Sequence, residues 1–181
     1  MSKAVRWQSW DGEGLEHMVF SDRPTGAVAE GALISGGDAR FAARYELTCH
    51  PNGLVAQARV AVVGGPSISL QSDGDGLWRN SEGKRVPALV GALDVDLSAS
   101  PVTNALTIRR LRLEEGEARE ITAVYVRFPD LEIGLDHQRY TCLEAGRRYL
   151  YEAVDGTFRA EIETEESGLV TLYDGLFRRV P

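Results

Sequence analysis

The sequence predicts an all-β protein, built as one long antiparallel meander that folds back on itself. Turn-forming pairs such as Asn52-Gly53, Asp73-Gly74 and Asp155-Gly156 recur along the chain. Their spacing of roughly 8–12 residues is typical of short strands joined by hairpins. No segment combines an N-terminal cap, a helical stripe of apolar residues and a C-terminal glycine, so long helices are not expected. A sheet of so many strands must curl to bury its apolar face.

Between the turns, apolar and polar residues alternate with a period of two. Within residues 41–49, one face would carry Phe41, Ala43, Tyr45, Leu47 and Cys49. Residues 123–128 and 158–163 alternate in the same way, which predicts strands with one buried face. Consecutive strands joined by tight turns pair antiparallel. Only Leu106–Leu113, which fits either helix or strand, and Leu143–Tyr151 leave room for a short helix.

Length and charge limit the class of protein. A chain of 181 residues with 43% hydrophobic and 26% charged residues predicts one globular domain over residues 1–181. The net charge of -7, with Lys3 and Lys84 as the only lysines, argues against nucleic acid as the main partner. No apolar run approaches the roughly 20 residues of a membrane span. Residues 1–10 lack the apolar core of a signal peptide, so we expect a cytoplasmic protein.

The sequence predicts no metal site, no cofactor and no catalytic motif. Cys49 and Cys142 lie far apart and are expected to be buried and unpaired. The three histidines lack the spacing of zinc ligands. The Asp73–Gly76 segment lacks the oxygen ligands that an EF-hand has at its fifth and twelfth positions, which indicates a hairpin turn. Phosphate-binding glycine loops and nucleophile motifs are absent.

The richest segment for chemistry is 91–113. On a strand, Asp94 and Asp96 would share the face opposite Val95. Two such carboxylates can form an acid/base pair, bind a cation or pair with arginine. We expect Arg109 or Arg110 to pair with them across neighbouring strands. Three interpretations stay open: an Asp–Arg lattice that fixes strand register, a polar rim that binds sugar hydroxyls or a phosphate, and hydrolysis by the two aspartates.

Aromatic residues near turns suit either the mouth of an apolar cavity or the sealing of a core. Trp7, Trp10 and Trp78 lie in or beside turns, and several tyrosines gather late in the chain. Together with the polar segment, they define a candidate ligand-binding rim. Its members are Trp78, Asp94, Asp96, Thr103, Asn104, Arg109 and Arg110.

The central segment resembles a family signature. Asp94–Leu97 reads DVDL and 101–111 reads PVTNALTIRRL, which is similar to DVDL and PFTNTLPIRRL of the bacterial family described as putative glycolipid-binding. Matching segments extend over the chain: Arg6-Trp7, Gly14–His17, Tyr45 with Cys49, Gly76–Trp78, Gln138–Thr141, and Gly168–Val170 with Tyr173 and Leu176-Phe177. Val102 replaces an aromatic residue, Thr107 replaces a proline, and a tryptophan expected after Cys49 is missing. The resemblance implies a spiral β-roll without catalytic residues.

The leading functional hypothesis is a protein that binds a glycolipid or another amphiphile, without catalysis, in a cavity of the curled sheet. The alternatives are an enzyme acting on a sugar or phosphate ester through Asp94, Asp96 and nearby arginines, and a structural or interaction protein with a closed core. Small residues predict space for an acyl chain, with an opening near Asp94, Thr103, Asn104 or Arg109. These small residues are Ala56, Ala58, Ala61, Ala88, Gly91 and Ala92. Alternatively, the same residues would let the two layers of the roll pack closely.

Overall fold

The computed structural model describes residues 2–37 and 39–181, and its strands form one 14-stranded sheet. Strands make up 56% of the protein and helix 7%, which confirms the predicted all-β class. The strands are β1 (Ser2–Ser9), β2 (Leu15–Arg23), β3 (Gly26–Ser35), β4 (Phe41–Cys49), β5 (Val55–Val62), β6 (Ser67–Ser72), β7 (Trp78–Arg79), β8 (Asp94–Leu97), β9 (Ala118–Arg127), β10 (Glu132–Glu144), β11 (Arg148–Ala153), β12 (Arg159–Thr164), β13 (Val170–Tyr173) and β14 (Phe177–Val180). One helix, α1 (Val102–Leu111), and a short 3₁₀ turn (Pro87–Leu89) complete the set of elements.

Most strands pair with their neighbours in the chain, as a meander requires. The spatial order is β7-β6-β5-β4-β3-β2-β1-β14-β13-β12-β11-β10-β9-β8. Two pairings depart from the predicted antiparallel chain order. β1 pairs with β14 from the other end of the chain, and β8 lies parallel to β9 because α1 provides the crossover between them. The meander therefore consists of two runs of strands joined through β1 and β14.

The predicted faces of β4 are confirmed by burial. Ala43, Tyr45, Leu47 and Cys49 are buried, whereas Arg44 between them is exposed. A bulge near Cys49 shifts the register against β5. Both cysteines are buried and unpaired, as expected. The inward face of β4 is thus mostly apolar, with the Tyr45 hydroxyl as its polar group.

The segment 102–111 forms a buried helix rather than a strand. All residues from Val102 to Ile108 are buried, and side chains of α1 contact both β2 and β10. A helix buried on all sides belongs in a core. Ser100 Oγ accepts a hydrogen bond from Val102 N–H at the start of α1, and Arg112 ends the helix in a left-handed conformation with φ of 49°. The possibility of a helical turn within 143–151 is also wrong, because β10 and β11 cover most of it.

The predicted space for an acyl chain inside the roll is occupied by α1. Val102, Ala105, Leu106 and Ile108 belong to the same apolar core as residues of both runs of strands. Among the small residues expected to leave room, Ala58 and Ala92 are packed in this core, whereas Ala88 is exposed. At Ala58 and Ala92, the small side chains therefore permit close packing and do not leave a cavity.

Two hydrogen bonds connect the chain segments beside the two edge strands, β7 and β8. Gly91 N–H donates to the carbonyl oxygen of Gly76 at 2.9 Å, and Trp78 Nε1–H donates to that of Ala92 at 2.8 Å. A Cβ on Gly76, where φ is +86°, would lie 3.1 Å from Gly91 Cα, so this approach favours glycine. No helix in the described part of the chain is long and apolar enough to cross a membrane.

Candidate functional site

Asp94 and Arg110 form a buried ion pair between β8 and α1. Arg110 Nε donates to Asp94 Oδ1 at 2.9 Å and Arg110 Nη2 to Oδ2 at 2.5 Å. The side chains are 4% and 15% exposed. Burial raises the pKa of Asp94, and Arg110 partly opposes this rise. The predicted pairing is confirmed for Asp94, although it joins a strand to a helix rather than two strands.

Asp96 is held by neutral donors instead of arginine. Thr103 Oγ1 donates to Asp96 Oδ1 at 2.9 Å, and Gln138 Nε2 donates to Oδ2 at 2.6 Å. Burial raises the pKa of Asp96 to about 6, against the lowering effect of these two hydrogen bonds. The expected ion pair of Asp96 with Arg109 or Arg110 is therefore wrong.

Arg109 points away from both aspartates. Its Nη2 donates to Asp22 Oδ2 at 2.6 Å, its Nη1 donates to the carbonyl oxygen of Ser167, and its guanidinium lies 4.6 Å from the centroid of the Phe20 ring. Successive residues on an α-helix differ by about 100° in direction. Arg109 and Arg110 therefore reach different faces of α1 and different partners, Asp22 and Asp94, which a strand interpretation did not anticipate.

Three other members of the candidate rim are buried. Trp78, Thr103 and Asn104 are buried, so their expected placement at an opening is wrong. Asn104 Nδ2 donates to Tyr140 Oη at 3.0 Å, and Tyr140 Oη–H donates to Gln138 Oε1 at 3.3 Å. Because Gln138 also bonds Asp96, these groups form one internal polar network. The network connects α1 to β8 and β10.

Two polar depressions lie near the remaining rim residues. One, which we call the polar recess, has a volume of about 490 Å³ and is lined by Asp94, Arg110, Thr122 and His137 among others. A second depression of about 490 Å³ lies beside Arg109. Both are open to the surface, and residues of α1 line part of each, Arg110 and Leu111 in the first and Leu106 and Arg109 in the second.

An apolar recess lies at the end of the roll where β2 begins and β3 ends. This mouth recess has a volume of about 500 Å³. Its large apolar lining residues are Trp7, Trp10, Leu15, Leu33, Ile34, Phe41, Phe128, Leu176 and Phe177. Phe41 and Phe128 stack with ring centroids 5.4 Å apart and planes inclined by 17°. Four of these side chains, Trp10, Leu15, Ile34 and Leu176, are exposed.

Glu16 adds a buried carboxyl group to the lining of the mouth recess. It is 3% exposed, and its Oε1 accepts hydrogen bonds from Tyr45 Oη and, at 2.7 Å, from Ser100 Oγ. Its Oε2 is buried without a hydrogen-bond partner among the residues described. Burial raises the pKa of Glu16 to about 7, although both hydroxyl groups lower it. Glu16 is therefore the one lining residue with a buried, unsatisfied carboxyl oxygen.

The sequence analysis missed Glu16 as a site residue. On β2, the inward positions are Glu16, Met18 and Phe20, all buried. A carboxylate in register with two large apolar residues is the signal that could have identified it, since buried charges are rare unless paired. The exposed apolar side chains converge only in three dimensions, because they come from three separate parts of the chain: the β1–β2 hairpin, the end of β3 and the turn before β14.

A single curled sheet around a buried helix, with a ligand-sized apolar recess at one end, defines a mainly β protein of the roll type. The chain belongs to the Putative glycolipid-binding family, whose model matches residues 4–179. This confirms the resemblance carried by the central motif.

Two solved structures are similar to this fold. A DUF1089 family protein from Pseudomonas aeruginosa is 34% identical, with a TM-score of 0.84 over 96% of this chain and 92% of the other. A β-barrel-like protein of DUF1849 from Brucella abortus has a TM-score of 0.53 and 10% identity, over 98% of this chain and 93% of the other, so it supports the fold alone. No curated protein sequence matches the chain.

Proposed function

We propose that this protein binds a glycolipid, or another neutral amphiphile with hydroxyl groups, at the mouth recess and without catalysis. The observation that carries the proposal is the convergence of exposed Trp10, Leu15, Ile34 and Leu176 on a recess that also contains Glu16. Exposed apolar patches of this kind mark interaction sites. The family description, putative glycolipid-binding, agrees with such a ligand.

The apolar lining suits an alkyl chain. A volume of about 500 Å³ falls within the range of small-molecule sites, roughly 300–1,000 Å³. Trp10, Leu176 and the stacked pair Phe41–Phe128 offer apolar surface that water covers in the free protein. Removing such surface from water contributes about 25 cal/mol per Å². An alkyl chain would therefore bind here without any polar contact.

Glu16 supplies the polar part of the site. Oε2 lacks a partner and is buried in the free protein, so a hydroxyl group of the ligand would donate to it after displacing the side chains that cover it. An unsatisfied buried acceptor costs about 1–3 kcal/mol, so a donor that reaches it gains that amount. A carboxylate headgroup would instead meet a second negative charge. The site is thus expected to favour sugar hydroxyls over anionic headgroups.

The contacts of the two aspartates support a structural role. Asp94 is fixed by both guanidinium bonds of Arg110, and Asp96 by Thr103 and Gln138. Asp94 lines the polar recess, but both of its oxygens are occupied by Arg110, and Asp96 lines neither polar depression, so the pair does not present two free carboxylates to one cleft as a hydrolase requires. The polar recess beside Asp94 is the competing location for a ligand, and its lining residue His137 offers a variant that tests it.

The test is calorimetric titration with octyl glucoside below its critical micelle concentration. Leu176→Asp, in the mouth recess, is expected to weaken binding at least about tenfold, because it removes apolar contact and adds charge. Leu135→Asp changes an equally exposed leucine on β10 and is expected to bind as the unmodified protein does. Unchanged binding in Leu176→Asp, or no binding by the unmodified protein, would overturn the proposal.

Two further titrations test the details of the site. Octanoate has a similar alkyl chain and an anionic headgroup, and it is expected to bind more weakly than octyl glucoside at pH 8. Glu16→Gln is expected to reduce the difference between these two affinities. His137→Ala, on the polar recess, is expected to leave both affinities unchanged. A selective loss of glucoside binding in His137→Ala would move the site to the polar recess.

A further inference from the structure

The polar depression beside Arg109 lies at the end of the roll opposite the mouth recess. Its volume is about 490 Å³. β2 ends here with Arg23 and β4 ends here with Cys49, whereas the first residues of these strands, Leu15 and Phe41, line the mouth recess. A strand of nine residues, such as β2, is about 30 Å long. The depression and the mouth recess are therefore separate places on the molecule.

Four arginines line this depression, and we call it the arginine depression. They are Arg23 at the end of β2, Arg109 and Arg110 at the end of α1, and Arg112 directly after the helix. Asp22 is the one acidic residue among the described residues of the lining. The chain as a whole has a net charge of -7. The lining is therefore basic in a protein that is otherwise acidic.

Two of the four arginines have an anionic partner and two do not. Arg109 bonds Asp22, and Arg110 bonds Asp94, which lines the polar recess instead. The side chains of Arg23 and Arg112 are exposed and form no ion pair or hydrogen bond with any residue that the structure describes. Two positive charges in the lining are thus left without a counter-charge among those residues.

The groups that would oppose an anion in the arginine depression cancel only part of this charge. The C-terminus of α1 carries roughly half a negative charge. The turn that contains Gly74 lies beside the lining residue His50, whose Nε2 is buried and has no hydrogen-bond partner among the residues described. The acidic side chains in neighbouring turns do not line the depression, and they are Asp73, Asp75, Glu114, Glu115 and Glu166. The lining therefore stays positive where a ligand would contact it.

Two turns fix the side chains of Arg109 and Arg110. A Cβ on Gly53, where φ is +85°, would lie 3.1 Å from Arg110 Cβ. A Cβ on Gly168, where φ is +80°, would lie 2.6 Å from Arg109 Cγ. The two turns thus pack directly on the aliphatic parts of these arginines. Because both guanidinium groups are already ordered, they lose little conformational entropy when a ligand binds.

We propose that the arginine depression binds a phosphate group, which a small soluble phosphate or a lipid headgroup could supply. The planar guanidinium group matches the spacing of phosphate oxygens. Arg23 and Arg112 would neutralise the phosphate, and Arg110, whose Nη1 forms no hydrogen bond with a described residue, would add a donor. A phosphate monoester carries up to two charges and three acceptor oxygens, so it uses this set of donors more fully than a carboxylate does.

The experiment is calorimetric titration with sodium phosphate at pH 8 and constant ionic strength, with sodium chloride as the comparison salt. The double variant Arg23→Gln, Arg112→Gln is expected to weaken phosphate binding at least about tenfold. Both side chains are exposed and unbonded, so its thermal unfolding midpoint is expected to stay unchanged. The control, Arg44→Gln with Arg159→Gln, removes the same charge from two exposed arginines outside the depression and is expected to bind phosphate normally.

Two further ligands distinguish the sources of the phosphate. Glycerol 3-phosphate is soluble, and dihexanoyl phosphatidic acid carries the same group on a lipid. Equal affinities would show that the phosphate alone is recognised. Tighter binding of the lipid, weakened by Arg23→Gln, Arg112→Gln, would identify a headgroup.

The proposal would be overturned if none of the three phosphates binds, if chloride produces the same heat, or if the two double variants lose equal affinity. This site does not depend on the mouth recess. Arg23→Gln, Arg112→Gln is therefore expected to retain octyl glucoside binding, and failure of one proposal leaves the other standing.

Discussion

Glu16 makes the stability of the protein depend on pH in an unusual direction. A carboxyl group whose pKa is raised to about 7 binds a proton more tightly in the folded state than in the unfolded state. Below the usual pKa of 4.5, Glu16 is protonated in both states and does not lower the free energy of unfolding. As the pH rises toward 7, the free energy of unfolding falls, because the unfolded state loses its proton first. A buried carboxylate with one unsatisfied oxygen is thus tolerated at neutral pH rather than stabilising.

Glu16→Gln is expected to reduce the loss of stability between pH 5 and pH 7 by about 2 kcal/mol. Glutamine has the same shape and keeps an oxygen that can accept from Tyr45 and Ser100, but it does not ionise. Urea denaturation at the two pH values measures the difference. Asp96, whose pKa of about 6 is also raised, contributes a further loss in both proteins. An unchanged difference in Glu16→Gln would contradict the assignment to Glu16.

Asp94→Asn is expected to cost about 3 kcal/mol of unfolding free energy, because it leaves Arg110 buried without its anion. Chemical denaturation measures this loss. Glu46→Gln is the control, since Glu46 and Arg59 form an exposed pair whose loss should cost less than about 1 kcal/mol. Equal, small losses in both variants would show that Asp94 is not a stabilising group and would revive a catalytic interpretation.

At the scale of elements, the strands follow from the sequence and the helix does not. Alternation in β4 and β12, and tight turns such as that at Asp73, are local signals that the structure retains. In α1, the β-branched residues Val102, Thr103, Thr107 and Ile108 have modest helix propensity. Burial on all sides outweighs that preference, and burial depends on strands distant in sequence.

The same element explains what could be predicted of the site. The Asp94–Arg110 pair could be predicted from the sequence because acidic and basic residues lie close together in this part of the chain. The direction of Arg109 depended on whether 102–111 is a helix. The mouth recess could not be derived from local patterns, because Trp10, Ile34, Phe128 and Leu176 meet only after both runs of strands curl. The alternation of residues along β2 could have predicted that Glu16 is buried. Its hydrogen-bond partner Ser100 could not be predicted, because it lies 84 residues away in the chain.

At the scale of the whole molecule, α1 decides where a ligand can bind. The helix fills the space between the two runs of strands and is tied to both: Arg110 bonds Asp94, Asn104 bonds Tyr140, and Arg109 bonds Asp22. With α1 in place, the core is continuous and the open recesses lie at its surface. A ligand inside the roll would require α1 to leave.

Amide hydrogen exchange tests whether α1 leaves. Because α1 is buried on all sides and bonded to both runs of strands, its amides are expected to exchange only through global unfolding, as slowly as those of β3 and β10, which are paired on both sides. The edge strand β7, with two residues, is expected to exchange much faster. Saturating octyl glucoside should slow exchange in the turns around Trp10 and Leu176 and leave α1 unchanged. Fast exchange in α1 while β3 and β10 stay protected would instead indicate a roll that opens around its helix, with an internal cavity as the ligand site.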